Sequence, residues 1–104
     1  LNSIQYSEQP KYPSIIKDLC FDCEIDTKYI EIYNEIERII NSNNLWGKVE
    51  CLDIFQKEGT VEKKRLTYRI TTSNYSKTLK DKDIKEIIQK IKEKIESKYQ
   101  ATLV

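Results

Sequence analysis

The fold is decided by the central stretch Lys63-Lys64-Arg65-Leu66-Thr67-Tyr68-Arg69-Ile70-Thr71-Thr72. Within it the apolar residues Leu66, Tyr68 and Ile70 alternate with polar ones. Successive side chains of a β-strand point to opposite faces of the sheet, so this alternation predicts a strand with one buried and one solvated face. Arg69 belongs to the polar set and is expected to point away from the core.

Three further strands are expected around this one. The earliest is entered through Pro13, because proline is tolerated at the start of a strand. A turn is expected at Glu58–Thr60 and a break in the chain direction at Ser73–Ser76. The predicted strands are Ser14–Glu24, Trp46–Lys57, Lys63–Thr72 and an edge strand at Gln100–Val104.

Two segments have the spacing of amphipathic helices, with apolar residues three and four positions apart. Asp26 or Thr27 is expected to cap the first helix, and Thr78 or another polar residue up to Asp81 the second. The loop Asn41–Asn44 ends the first stripe. The first stripe is Tyr29, Ile32, Tyr33, Ile36, Ile39 and Ile40, and the second is Ile84, Ile87, Ile88, Ile91 and Ile95.

The order of these elements is β-α-β-β-α-β, which predicts an α+β sandwich of the ferredoxin-like type. Two helices, each with an apolar stripe, are expected to cover one face of a four-stranded antiparallel sheet and leave the other face open. Residues 1–10 are interpreted as a linker from a preceding part of a longer chain. Residues 11–104 are interpreted as one domain, since a chain of 104 residues has room for one core.

Composition excludes most catalytic chemistry. The chain has no histidine, so the commonest general base and metal ligand is absent. Cys20 and Cys23 have CxxC spacing, but with only Cys51 in addition they form an incomplete zinc set. We therefore expect all three cysteines to be buried, small apolar residues of a protein in a reducing compartment, with no metal site. No apolar run approaches the roughly 20 residues of a membrane span.

Charge is unevenly distributed although the net charge is +1. Acidic residues outnumber basic ones up to Thr60, and basic residues dominate from Val61 onwards. Such a basic half is typical of proteins that bind a polyanion, although lysine-rich helices also occur simply as solvated surfaces.

Five segments carry motifs that occur in order and with compatible spacing: Lys11–Leu19, Val49–Phe55, Lys63–Ile70, Ser76–Leu79 and Gln100–Val104. Together they resemble the ferredoxin-fold anticodon-binding domain of phenylalanyl-tRNA synthetase. The last segment is similar to the family's Gly-Ala-Thr-Leu-Arg ending. Three positions depart from the family pattern: Lys17 stands for arginine, Arg65 for a small hydroxyl residue, and Val104 for the final arginine.

The resemblance implies a non-catalytic, cytoplasmic module that binds the anticodon stem-loop of the phenylalanine tRNA. It implies no cofactor in this domain, with ATP and magnesium used by the catalytic part of a parent ligase. The implied partners are that tRNA, the remainder of the β chain and the α chain, with no membrane, and the isolated domain is expected to be a monomer. The implied RNA-binding residues are Asp53, Phe55, Arg65, Arg69 and Lys17.

The chemistry of these residues suits that role. Asp53 is able to accept both N1–H and N2–H of guanine, the first base of phenylalanine anticodons, and Phe55 is able to stack a base. The arginines and Lys17 suit phosphate. Two alternatives stay open at this point: Asp53 as an ion-pair partner of Arg69 or Lys17, and Phe55 as a core residue.

Two other functions are compatible with the same fold. A regulatory ferredoxin-like domain that binds a small molecule such as an amino acid would form a dimer and have a glycine-containing turn beside the first helix. Neither Gly47 nor Gly59 lies there. A small ferredoxin-like hydrolase would need an arginine-lined phosphate loop after the first strand, where residues 23–26 are acidic instead.

Overall fold

A computed structural model describes residues 9–56 and 62–104 of the chain. These residues form four strands and two helices in the predicted order. The predicted linker at residues 1–10 and the predicted turn at 58–60 lie wholly or mostly outside the described residues. The elements are β1 (Ile15–Glu24), α1 (Tyr29–Ser42), β2 (Leu45–Gln56), β3 (Lys63–Asn74), α2 (Asp81–Tyr99) and β4 (Thr102–Leu103).

The four strands form one antiparallel sheet in the order β2-β3-β1-β4. This confirms the ferredoxin-like prediction. Two of the predicted limits are wrong. Strand β3 continues through Ser73 and Asn74, which pair with Trp46 and Leu45 of β2, so the expected break begins only at Tyr75. The last strand comprises two residues, Thr102 and Leu103, because only these pair with β1.

The core lies between one face of the sheet and the two helices. Tyr68 and Phe21 are its largest side chains, and their rings meet edge to face with centroids 6.5 Å apart. Tyr68 also ties the start of α1 to the sheet, since its hydroxyl donates to the carbonyl of Tyr29 at 2.8 Å. Burial raises the pKa of the Tyr68 hydroxyl, which therefore stays a donor. Of the predicted stripes, Tyr29 alone is exposed; the others are buried or half-buried.

The predicted caps are partly wrong. Helix α1 begins at Tyr29 and has Lys28 at its N-cap with no side-chain hydrogen bond, so neither Asp26 nor Thr27 caps it. The reason is a turn after β1, in which the Thr27 amide donates to the carbonyl of Glu24. Asp26 and Thr27 belong to this turn, so the helix begins beyond them. Helix α2 has Lys80 at its N-cap, within the predicted range.

The first turn of α2 is closed by a residue inside the helix. The Asp83 carboxylate accepts the backbone N–H of Lys80 at 3.0 Å, which is the reciprocal half of a capping box. A carboxylate in this turn also complements the positive end of the helix.

A buried carboxylate joins the two helices. Glu35 lies in the apolar stripe of α1 and is only 2% exposed, yet it accepts hydrogen bonds from Lys98 of α2 and from Arg38 one turn away. The hydrogen bond from Lys98, followed by that from Arg38, lowers the pKa of Glu35. Because a buried charge must be paired, this contact fixes how the end of α2 sits on α1.

Close packing of α1 on β2 requires glycine at position 47. A Cβ atom there would lie 2.6 Å from Cγ2 of Ile40, whose β-branched side chain has little rotational freedom in a helix. Gly47 therefore allows the helix to approach the strand that carries the candidate site.

Two features position the C-terminal strand: the backbone conformation of Gln100 and a hydrogen bond to the Glu96 side chain. Gln100 ends α2 in the left-handed conformation, with φ of 56°, which costs a residue with a Cβ atom free energy that glycine does not pay. Leu103 then donates its backbone N–H to the Glu96 carboxylate at 3.0 Å, which lowers the pKa of Glu96. The glycine of the family's Gly-Ala-Thr-Leu-Arg ending therefore falls at a position where this chain has a left-handed residue.

Replacing Gln100 with glycine is expected to raise the free energy of unfolding by about 0.5–1 kcal/mol, because relief of the left-handed strain exceeds the entropy gained by the unfolded chain. The matched control Gln89→Gly, inside the same helix, is expected to lower it by about 1 kcal/mol. Urea unfolding of both variants checks this. Equal destabilisation by both changes would contradict the assigned role of Gln100.

Candidate nucleic-acid interface

One face of the sheet is not covered by any element that the structure describes. Its β1 residues alternate with the buried Leu19, Phe21 and Cys23, and its β3 residues alternate with the buried Leu66, Tyr68 and Ile70. We call this surface the open face. It consists of Ile16, Asp18, Cys20, Asp22 and Glu24 from β1, Lys63, Arg65, Thr67, Arg69 and Thr71 from β3, and Lys48 and Glu50 from β2 together with the β2 residues described next.

A β-bulge determines which β2 residues reach the open face. Cys51 pairs with the core residue Tyr68, but Asp53, two residues later, pairs with Thr67, which is only one residue away. Leu52 is thus the extra residue. In a regular strand Cys51, Asp53 and the alternate residues beyond would share the core face, and the bulge exchanges the two faces from Asp53 onwards.

The bulge places Asp53 and Phe55 side by side on the open face. Asp53 lies opposite Thr67, and Phe55 lies opposite Arg65. Phe55 is 53% exposed, so its ring is available to a ligand and is not part of the core. Within the described part of the chain, the Asp53 carboxylate has no hydrogen-bond or ion-pair partner. Arg69, the partner considered from the sequence, bonds to Asp18 instead.

Both arginines of the open face are held by carboxylates of β1. Arg65 donates to Asp22 through Nε at 2.7 Å and through an Nη at 3.2 Å. Arg69 donates to Asp18 in the same two-pronged way at 2.9 and 3.1 Å. Each pair joins directly opposite residues of neighbouring strands. These bonds raise the pKa of both arginines and lower the pKa of Asp18.

A third pair, Lys63 with Glu24 at 2.9 Å, continues this row of ion pairs. The acidic first half and the basic second half of the sequence therefore meet as neighbouring strands. Part of the uneven charge distribution in the sequence is therefore accounted for by ion pairs between β1 and β3.

Lys17 does not join the other four predicted residues. It lies opposite the buried Ile70, so it belongs to the helix-covered side of the sheet, at an end of β1 where it is exposed. The structure thus brings Asp53, Phe55, Arg65 and Arg69 together on one face and places Lys17 on the other.

The CxxC pair is divided between the two faces. Cys23 is buried in the core, whereas the Cys20 thiol lies on the open face, 3.4 Å from the hydroxyl of Thr67. Residues 9–56 and 62–104 contain no cluster of three or more His, Cys, Asp or Glu residues suited to a metal ion. None of the helices described is long and apolar enough to cross a membrane.

Sequence reasoning missed Asp18 and Asp22 as part of this surface. Both lie on the same face of β1, but the residues of β1 alone do not give its register with β3. The sequence does contain one signal for the pairing. β1 has three acidic residues and β3 has three basic residues, both sets spaced by two and four positions, so one antiparallel register pairs all of them.

These observations define the class of protein: an α+β sandwich that presents a carboxylate, an aromatic ring and two fixed guanidinium groups on an uncovered antiparallel sheet. A sequence model of the ferredoxin-fold anticodon binding domain matches residues 10–103. The chain belongs to this family, as its motifs suggested.

Three relatives with similar sequences are each named as the beta subunit of a phenylalanine–tRNA ligase. The chain is 34% identical over 101 residues to the chloroplastic phenylalanine–tRNA ligase beta subunit of Phaeodactylum tricornutum, covering 94% of this chain and 14% of that protein. It is 30% identical over 101 residues to the beta subunit of Listeria innocua, covering 96% and 12%. It is 33% identical over 84 residues to that of Aster yellows witches'-broom phytoplasma, covering 79% and 10%. The chain spans about a tenth to a seventh of the length of these relatives.

Phe55→Ala is expected to lower the free energy of unfolding by less than about 1 kcal/mol, because the ring is largely exposed. Phe21→Ala, the matched change at a fully buried phenylalanine of the same sheet, is expected to cost about 3–5 kcal/mol. Chemical denaturation of both variants measures the difference. A loss at Phe55 as large as that at Phe21 would return Phe55 to the core.

Proposed function

We propose that this domain binds the anticodon loop of the phenylalanine tRNA on its open face and so positions that tRNA for aminoacylation catalysed by another part of a phenylalanine–tRNA ligase. Membership of the family and the names of the relatives support this assignment. The observation that carries it is the bulge-presented pair Asp53 and Phe55, a carboxylate without an ionic partner in the described residues beside an exposed ring.

Asp53 recognises guanine by its hydrogen-bond donors. Guanine presents N1–H and N2–H side by side on its Watson–Crick edge, and a carboxylate has two oxygens to accept them. Adenine and the pyrimidines lack this pair of donors. A hydrogen bond to a charged group contributes about 1.5–3 kcal/mol when its partner would otherwise be unpaired, enough for selection of one base.

Phe55 supplies a surface on which the unstacked base lies. Stacking of a base on an aromatic side chain contributes roughly 1–3 kcal/mol and tolerates any base. Because Phe55 is two residues from Asp53 on the same face, one ribonucleotide is able to contact both. Phe55 thus contributes affinity and Asp53 contributes selectivity.

The cations act on the sugar–phosphate chain. Arg65 lies opposite Phe55, and Arg69 is two residues from Thr67, which lies opposite Asp53. The two arginines therefore flank the site proposed for the base, where the sugar–phosphate chain would pass. Lys17, on the other side of the sheet, is proposed to contact phosphate only where the RNA passes the end of β1. In this proposal the domain itself uses no cofactor; ATP and magnesium serve the catalytic part of the ligase, and the α chain and the remaining β chain are its protein partners.

Asp53→Asn is expected to reduce the preference for guanine at the first anticodon base by about tenfold, since an amide oxygen is a weaker acceptor and its NH₂ group meets guanine's donors. Fluorescence anisotropy with anticodon stem-loops that carry guanine, inosine or adenine at this base measures it. Inosine keeps N1–H and lacks the N2 amino group, so the unmodified domain is expected to bind in the order guanine, inosine, adenine.

The matched control is Glu50→Gln, which removes one carboxylate from the same strand, opposite Arg69. It is expected to leave the order of the three RNAs unchanged. If Asp53→Asn and Glu50→Gln behaved alike, Asp53 would have no part in base selection.

A further inference from the structure

We infer that Asp18 and Asp22 of β1 are selectivity residues: by holding Arg69 and Arg65, they limit binding of arbitrary RNA through its phosphates. The inference rests on the proposed function of the open face and assigns it two residues that act through the arginines. It begins from the geometry of the two ion pairs, which is two-pronged in both cases.

A guanidinium in such a pair has fewer donors to give to phosphate. Arg65 uses Nε and one Nη nitrogen on Asp22, and Arg69 uses the same two nitrogens on Asp18. That edge is one of the two through which a guanidinium binds a phosphate with two hydrogen bonds, and the other, formed by the two Nη nitrogens, stays open. A phosphate must therefore displace the carboxylate, or bind the remaining Nη edge in the one orientation that the ion pair leaves and close to the carboxylate's negative charge.

The net charge of the open face points the same way. Its basic residues in the described strands are Lys48, Lys63, Arg65 and Arg69, and its acidic residues are Asp18, Asp22, Glu24, Glu50 and Asp53. Four positive and five negative groups give a formal charge of −1, so this face has no excess positive charge that would attract RNA regardless of its sequence.

A face with this balance of charges distinguishes RNAs by their nucleobases. Sequence-independent affinity for nucleic acid comes from phosphate contacts and the release of counterions, whereas base contacts provide discrimination. With both arginines held by β1, the contacts of Asp53 and Phe55 form a larger share of the binding free energy. Freed arginines would add phosphate contacts in many orientations of the RNA, including those in which no base is read.

The experiment compares Asp18→Asn, Asp22→Asn and the double variant with the unmodified domain. Binding of a ten-residue oligoadenylate and of the guanine stem-loop is measured by anisotropy over a series of salt concentrations. Each freed arginine is expected to steepen the plot of log affinity against log salt by about 0.7, the value for one phosphate on a single strand. The double variant is expected to bind oligoadenylate about tenfold more tightly at low salt and to lose part of its preference for guanine.

Glu86→Gln is the matched control for each single variant, because it makes the same change in net charge at an exposed position of α2, on the helix side of the sheet. It is expected to change neither the salt dependence nor the preference. Circular dichroism melting of each variant, recorded beside the binding data, shows that the comparison is between folded proteins.

Two outcomes overturn the inference. One is an unchanged salt dependence in the Asp18 and Asp22 variants relative to Glu86→Gln; the other is weaker binding of oligoadenylate, which would mean that the carboxylates hold the arginines in their RNA-binding positions. Failure of the proposed function is recognised separately. In that case the unmodified domain does not distinguish guanine from adenine, whatever the aspartate variants do.

Discussion

The open face depends on one constraint, the two-residue alternation of a β-strand, and on the bulge at Leu52 that interrupts it. Before the bulge, Val49 and Cys51 point into the core; after it, Asp53 and Phe55 point away from the core. If β2 were regular, a carboxylate and a phenylalanine would be directed toward the helices, and the face would present Leu52 and Ile54 instead. The bulge therefore creates the candidate site from a strand whose first half belongs to the core.

The rest of the domain supports this edge strand. Gly47 lets α1 approach β2 before the bulge, and Tyr68, next to Thr67 on β3, anchors the start of α1 and fills the centre of the core. The register of β3 is thus fixed by its buried residues. Because Thr67 and Arg65 follow that register, the positions of Asp53 and Phe55 opposite them are fixed as well.

Cross-strand ion pairs give the open face its chemical character. The sequence places acids on β1 and bases on β3, and the antiparallel register brings Asp18 to Arg69 and Asp22 to Arg65. Each arginine is paired with a carboxylate of the neighbouring strand, so its charge is balanced locally. Asp53, by contrast, has no such partner among the described residues, so its carboxylate is able to accept hydrogen bonds from a base.

Much of the fold was predictable because its signals are local and periodic. The alternation at Leu66, Tyr68 and Ile70 identifies β3, and the isoleucine stripes identify both helices. The extent of β3 was not predictable, because Ser73 and Asn74 have turn-forming side chains and only pairing with β2 keeps them extended. The cap of α1 failed for a similar reason, since a hydrogen bond between Thr27 and Glu24 sets where the helix begins.

The candidate site was predictable in part. The resemblance identifies Asp53 and Phe55, and the structure places both on the open face. Which face they share was beyond the sequence, because a bulge of one residue leaves no periodic signal in so short a strand. The buried Glu35 was missed for another reason: its partner Lys98 is 63 residues away, and the pairing exists only after both helices pack.

The most direct test of the central claim, that the bulge presents a guanine-reading surface, is an NMR titration of the ¹⁵N- and ¹³C-labelled domain with the guanine anticodon stem-loop. Intermolecular NOEs from the Phe55 ring protons, together with shift changes at Asp53 and Thr67 that lessen when adenine replaces guanine, are the result this account predicts. Shift changes confined to the lysines of α2, the same for both RNAs, would contradict it.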